Sequence, residues 1–240
     1  MFVIGATTHT AFYDPTANSW AAGPDTPGNF GAVDAPAAEL PNGHIVYAAD
    51  NSPNFTTPFH PPTKVFEFDP VAGTTTEITP PDPLLANGPS YVTRMALLPT
   101  GQVLFSDSGR QLWVYTGDGA PTPSLRPAIN NISYNGGGVF TLTGTQLNGQ
   151  SAGSGYGDDV ENDSNFPIVR LTTATGNVYY CRTSNWSSVG VDGGDPGTQT
   201  VNFTLNSGVT AGNYAVTVVG AGIPSFPSFI NITQDEVSGL

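Results

Sequence analysis

Ten consecutive residues, Tyr156-Gly157-Asp158-Asp159-Val160-Glu161-Asn162-Asp163-Ser164-Asn165, gather four carboxylates and two side-chain amides. Hard oxygen donors crowded on one loop suit Ca²⁺, which takes roughly six to eight oxygens in a flexible arrangement. Asp158, Asp159 and Asp163 are the candidate ligands. Asp192-Gly193-Gly194-Asp195 is a second acidic turn, able to share an ion if the two loops adjoin. The alternating ligand spacing and closing Glu of an EF-hand are missing, and a solvated acidic loop accounts for the same composition. Ca²⁺ is the one cofactor the sequence suggests.

Other chemistry has less to work with. His9, His44 and His60 are irregularly spaced and form no HxH or HxxxH pair, so strand-surface or loop roles explain them as well as metal binding does. Cys181 is the single cysteine, which excludes an internal disulfide and a thiolate metal cluster. No GxSxG nucleophile elbow occurs. Trp186, between Asn185 and Ser187 in a polar stretch, is the aromatic residue expected to face solvent, as a platform on which a sugar could stack.

The elements that would position these residues are strands. Gly, Pro, Asn and Asp interrupt the 240 residues too often for a long helix. Short apolar or alternating runs at 2-5, 9-13, 35-40, 44-49, 63-68, 74-79, 93-98, 102-106 and 111-116 read as strands, as do 139-144, 167-173, 177-182, 199-205, 213-219 and 228-233. The first half repeats itself. Ala38-Glu39-Leu40-Pro41-Asn42-Gly43-His44-Ile45-Val46-Tyr47 matches Ala96-Leu97-Leu98-Pro99-Thr100-Gly101-Gln102-Val103-Leu104-Phe105, and Phe12-Tyr13-Asp14-Pro15 matches Glu67-Phe68-Asp69-Pro70. Repeats of this length are a mark of propeller blades. The sequence therefore predicts an all-β chain: about two kelch-type propeller blades and a fragment over 1-117, a Gly/Pro-rich linker over 118-127, an immunoglobulin-like (E-set) β-sandwich over 128-233, and a tail over 234-240.

Charge narrows the partners. Asp+Glu 19 against Lys+Arg 6 gives a formal charge of -13, a balance that repels nucleic acid and anionic membranes. No apolar run reaches the roughly 18 residues of a membrane helix. Met1-Phe2-Val3-Ile4-Gly5-Ala6 lacks the basic start of a signal peptide, so export information is expected upstream.

Taken together, the Tyr/Phe-Asp-Pro and Leu-Pro-x-Gly strands, the Pro-rich joint, Ala211-Gly212-Asn213-Tyr214-Ala215-Val216 and Gly222-Ile223-Pro224-Ser225 resemble the C-terminal part of the galactose oxidase and glyoxal oxidase family of kelch-propeller proteins. Gly144-Thr145-Gln146-Leu147-Asn148-Gly149 and Tyr156-Gly157-Asp158-Asp159 are similar to stretches of bacterial kelch-repeat proteins. The resemblance implies a copper ion held by two histidines and two tyrosines, one of them cross-linked to a cysteine. Carried over by position, Tyr91 stands at a tyrosine, but Val92 and Ser184 stand at the two histidines, and Cys181 falls in the wrong half to supply the cross-link. A site without either imidazole should not hold Cu(II) tightly.

The expectation is a non-catalytic extracellular or cell-surface binding and adhesion module that meets a glycan or a surface partner. A self-assembling structural protein is the alternative, because two blades leave unpaired sheet edges that either upstream blades or further copies of the chain must cover. A copper radical oxidase is disfavoured. Copper titration followed by EPR should therefore give no stoichiometric Cu(II) signal with nitrogen hyperfine structure. If Asp158, Asp159 and Asp163 converge on an ion, millimolar Ca²⁺ should raise the melting temperature relative to EDTA, since a ligand of the native state stabilises it by mass action. An unchanged melting curve removes the calcium site.

Overall fold

Two kinds of turn, each used twice, set the layout of the first half. In one, Asp14 Oδ1 accepts from the N–H groups of Thr16 and Ala17 at 2.8 and 3.2 Å. Asp69 Oδ1 does the same with Val71 and Ala72 at 2.8 and 2.9 Å. The Asp side chain thus holds the turn closed from its first residue. In the other, Gly43 N–H donates to Leu40 O at 2.8 Å and Gly101 N–H to Leu98 O at 2.9 Å. Both glycines have positive φ, 89° and 80°. That is the left-handed residue a type I turn needs to re-enter a hairpin.

The computed structural model describes residues 1–51, 59–149, 166–190 and 197–238. Over these residues the chain is all-β, 45% strand and 8% helix, and it divides into two compact units, one of residues 1–97 and 102–118, the other of the Leu98–Gly101 turn and the described residues from Gly119 on.

In the first unit the turns generate three antiparallel meanders in chain order. The first contains β1 (Phe2–Ile4), β2 (Thr10–Asp14) and β3 (Ser19–Ala22). The second contains β4 (Ala37–Glu39), β5 (Ile45–Asp50), β6 (Thr63–Asp69) and β7 (Thr74–Glu77). The third contains β8 (Arg94–Leu97), β9 (Val103–Ser106) and β10 (Leu112–Tyr115). The middle sheet is apolar on both faces, which is why β5 reads Ile-Val-Tyr-Ala-Ala without alternation. Tyr47, Phe66 and Phe68 pack with Phe30, Phe2 and Phe12 on one side, Phe2 stacking on Phe68 at 4.4 Å. On the other, Val46 and Val65 pack with Val103, Phe105 and Trp113.

The second unit is one eight-stranded antiparallel sheet that curls into a half-barrel. Its strands are β11 (Ala128–Gly136), β12 (Val139–Thr145), β13 (Ile168–Thr172), β14 (Val178–Ser184), β15 (Gln199–Thr204), β16 (Gly212–Gly220), β17 (Ile223–Pro224) and β18 (Ser228–Ile232). They run β11-β12-β15-β14-β13-β16-β17, with β18 also on β16. Alternate residues of this sheet face a single interior of Phe140, Leu142, Val169, Leu171, Val201, Phe203, Val216 and Val218. Gly144 is obligatory, because a Cβ there would lie 2.1 Å from Ala128 O.

The nine-residue β11 lies in the stretch that the sequence reading leaves between its linker and the first strand of the sandwich. Its inward residues Ile129 and Ile132 are three apart, because the register shifts between Ile129 and Asn131; a bulge of this kind breaks the period-two signal. β3 is exposed at all four positions and gives no apolar pattern. The expected tail carries a one-turn helix, α1 (Gln234–Val237), begun by Thr233 N–H donating to Glu236 Oε2 at 2.7 Å. Val237 rests on the interior.

Asp50, at the end of β5, is fully buried. Its Oδ1 accepts from Thr63 Oγ1 at 3.1 Å and from Ser90 N–H, while Oδ2 is buried with no hydrogen-bond partner among the described residues. Desolvation raises its pKa above the ordinary carboxylate value against the opposing effect of the Ser90 and Thr63 bonds and of His60. A raised folded-state pKa means that the proton favours folding. That contribution is complete below the unfolded value of about 3.9 and is lost as pH rises through the folded one. Asp50→Asn should accordingly melt higher than the parent at pH 7, with the difference closing near pH 4. A lower melting temperature at pH 7 would show that the bonds to the ionised Oδ1 outweigh its desolvation.

Candidate functional site

Period two divides β14 into two working faces. Cys181 is buried in the interior and Tyr179 packs against it. Val178, Tyr180, Arg182 and Ser184 lie on the opposite, outward face. Tyr180 is 45% exposed. Cross-strand pairing sets its surroundings: Arg182 lies opposite Thr204 of β15, and Arg170 of β13 lies opposite Tyr180 itself. Tyr180, Arg182, Ser184, Thr204, Leu205 and Asn206 line an open groove of about 540 Å³. It offers an aromatic ring with its phenol hydroxyl, a guanidinium, two aliphatic hydroxyls and an amide. Neither a carboxylate nor an imidazole is among these lining residues, so they include no acid–base pair of the kind general catalysis uses. The sequence reading passed over this groove. The Tyr179-Tyr180 pair was its signal, since two successive rings on a strand must point to opposite faces.

The candidate residues fall in different places. Asp158, Asp159 and Asp163, with Asp192 and Asp195, lie outside the described residues. Trp186, expected as a solvent-facing platform, is half-buried. It packs on the interior, its Nε1 donates to Thr183 Oγ1 at 3.2 Å, and the ring of Phe166 lies against it at 4.6 Å. Its ring is largely committed to the fold. Ser184 lines the groove, while Val92 and Tyr91 belong to the first unit. Tyr91 meets the ring of Phe59 edge-on at 5.1 Å.

The histidines are held by local partners. His9 Nδ1 is 2.8 Å from Asp25 Oδ1, and His60 Nδ1 is 2.9 Å from Pro61 O. His44 sits between two carboxylates, with Nδ1 2.7 Å from Glu67 Oε1 and Nε2 3.6 Å from Asp69 Oδ1. Tyr115 Oη donates to the other oxygen of Glu67; burial and that carboxylate keep the phenol protonated. The Ala72 N–H, then that of Val71 and the nearby His44, lower the pKa of Asp69. Among the described residues no three or more His, Cys, Asp or Glu side chains are grouped to hold a metal. Burial pushes the Cys181 thiol up to about 11, which makes it a packing residue rather than a nucleophile.

A second cavity, of about 280 Å³, lies in the first unit and is walled largely by Val46, Val65, Met95, Val103 and Phe105. The polar groups at its wall are spent: Trp113 Nε1 donates to Asp82 Oδ2 at 2.7 Å and Tyr115 Oη to Glu67. It has no chemistry to offer beyond apolar contact.

No helix among the described residues is long and apolar enough to cross a membrane. Compared with protein-family models the chain matches none, and among curated proteins no match is found.

Proposed function

We propose that this chain is a non-catalytic binding module that works outside the cell and takes carbohydrate at the Tyr180 groove. The observation that carries the reading is the half-exposed Tyr180 ring set among Arg182, Ser184, Thr204 and Asn206 without an acid–base partner. A ring covers the C–H face of a sugar, and hydroxyl, amide and guanidinium groups beside it exchange hydrogen bonds with the sugar's hydroxyls. This is the usual make-up of a recognition site: apolar contact area with a few placed polar groups.

The scaffold reading accompanies it. The three meanders are read as kelch-type blades, in keeping with the recurrence of both turn types at corresponding positions. The curled sheet is read as an E-set, immunoglobulin-like sandwich. Tyr214 Oη donating to Thr210 O at 2.9 Å, four residues upstream, supports this reading, because such sandwiches carry a tyrosine corner of this sort. The fold itself assigns no activity, and the functional reading rests on the groove.

On a glycan array, Tyr180→Ala should lose roughly 10-fold or more of the parent's binding, the scale of one stacked ring, with its melting temperature unchanged. Trp186→Ala should instead melt lower, because its ring packs on the interior. Full binding by Tyr180→Ala would overturn the site.

A further inference from the structure

We infer that the groove selects an acidic sugar, one whose ring carries a carboxylate, through Arg170 and Arg182. The inference rests on the reading of the groove as a glycan site and adds the chemical class of its ligand.

The chain has six basic side chains among 240 residues, against nineteen acidic ones. Most have evident structural partners. Lys64 Nζ is 2.7 Å from Glu77 Oε2. Arg94 donates to the carbonyls of Tyr91 and Thr93. Arg126 donates to Pro224 O and lies 4.9 Å from the ring of Phe226. Arg110 stands in the other unit. Arg170 and Arg182 remain, and they share one sheet face. Arg170 is directly across from Tyr180, and Arg182 is two residues along β14 from it. Such diagonal neighbours lie about 7–8 Å apart, with their Cβ atoms somewhat closer.

Among the described residues no carboxylate lies within ion-pair distance of either guanidinium. Arg170 Nε is buried with no hydrogen-bond partner among the described residues. In a chain of formal charge -13, two guanidiniums beside one exposed ring, without a carboxylate partner among the described residues, make a local cationic patch that an anion would complement. A guanidinium presents a planar fork that fits a carboxylate with two parallel hydrogen bonds. With the sugar ring on Tyr180, its carboxylate would be met by Arg182 on the groove wall and by Arg170, which faces Tyr180 across the strand pair, and Ser184, Thr204 and Asn206 remain for its hydroxyls. A neutral sugar would leave both charges unanswered.

Calorimetric titration of the whole chain with oligogalacturonate and with the same oligomer as its methyl ester separates charge from ring. The free acid should bind at least about 10-fold more tightly than the ester, since a hydrogen bond to a charged group is worth about that much, and its affinity should fall as salt rises. Arg182→Gln, an exposed position, should remove most of that difference with the melting temperature unchanged. Arg170→Gln should do the same, and Arg170→Lys should recover part of it. Arg110→Gln should bind like the parent. Equal binding of acid and ester overturns the acidic class while leaving a glycan site. Binding of neither, with neutral glycans retained on the array, also overturns it. Equally tight binding of a sulfated chain such as chondroitin sulfate overturns the carboxylate assignment in favour of a general anion clamp. If no glycan of any class is retained, the glycan reading itself falls.

Discussion

A sheet that is apolar on both faces cannot meet water on either, and β4–β7 is such a sheet. Tyr47, Phe66 and Phe68 on one side and Val46 and Val65 on the other need covering. The hydrophobic term, about 25 cal/mol per Å² of apolar surface, acts on both faces at once. The sheets before and after it supply the cover, from Phe2 and Phe12 on one flank and from Val103, Phe105 and Trp113 on the other. The second unit meets the same requirement with one sheet. Its strands alternate, so a single curl hides all the inward residues, and the outward residues of β14 are released to form a groove.

That division explains where the acidic residues go. A chain with so many carboxylates could have carried acid–base chemistry, yet several of them tie down backbone. Asp14 and Asp69 close hairpins, and Asp82 caps the short turn at Leu84 at 3.0 Å. Asp107 accepts from Gly109 N–H at 2.8 Å. Carboxylates spent on N–H groups keep irregular backbone satisfied and are poor proton shuttles. The arginines beside Tyr180 have no carboxylate within ion-pair distance among the described residues.

Much of the layout was legible because it is local. Asp-Pro and Leu-Pro-x-Gly turns announce themselves through residues that hold a particular φ or accept a particular N–H, and the strands on either side of them lie within a residue or two of the apolar runs, except β3, whose four exposed positions carry no such run. β11 was not, because its bulge moved Ile132 off the expected parity. The groove was hidden for a different reason. Tyr180, Arg182 and Ser184 are neighbours on one strand, but Thr204 comes from the strand on one side of it and Arg170, which flanks the groove opposite Tyr180, from the strand on the other, and only the registers β14–β15 and β13–β14 place them there. Trp186 was placed outward from its polar neighbours. The contact that draws it inward, with Phe166, spans twenty residues of chain.

The repeated turns bear on how such a chain can change length. Asp14 and Asp69 are 55 residues apart, and Leu40 and Leu98 are 58. Each hairpin therefore brings its own closing residues and borrows none from the next. Duplicating or deleting one such period would add or remove a layer with its turn chemistry intact, and the new neighbours would still meet through aromatic and branched faces.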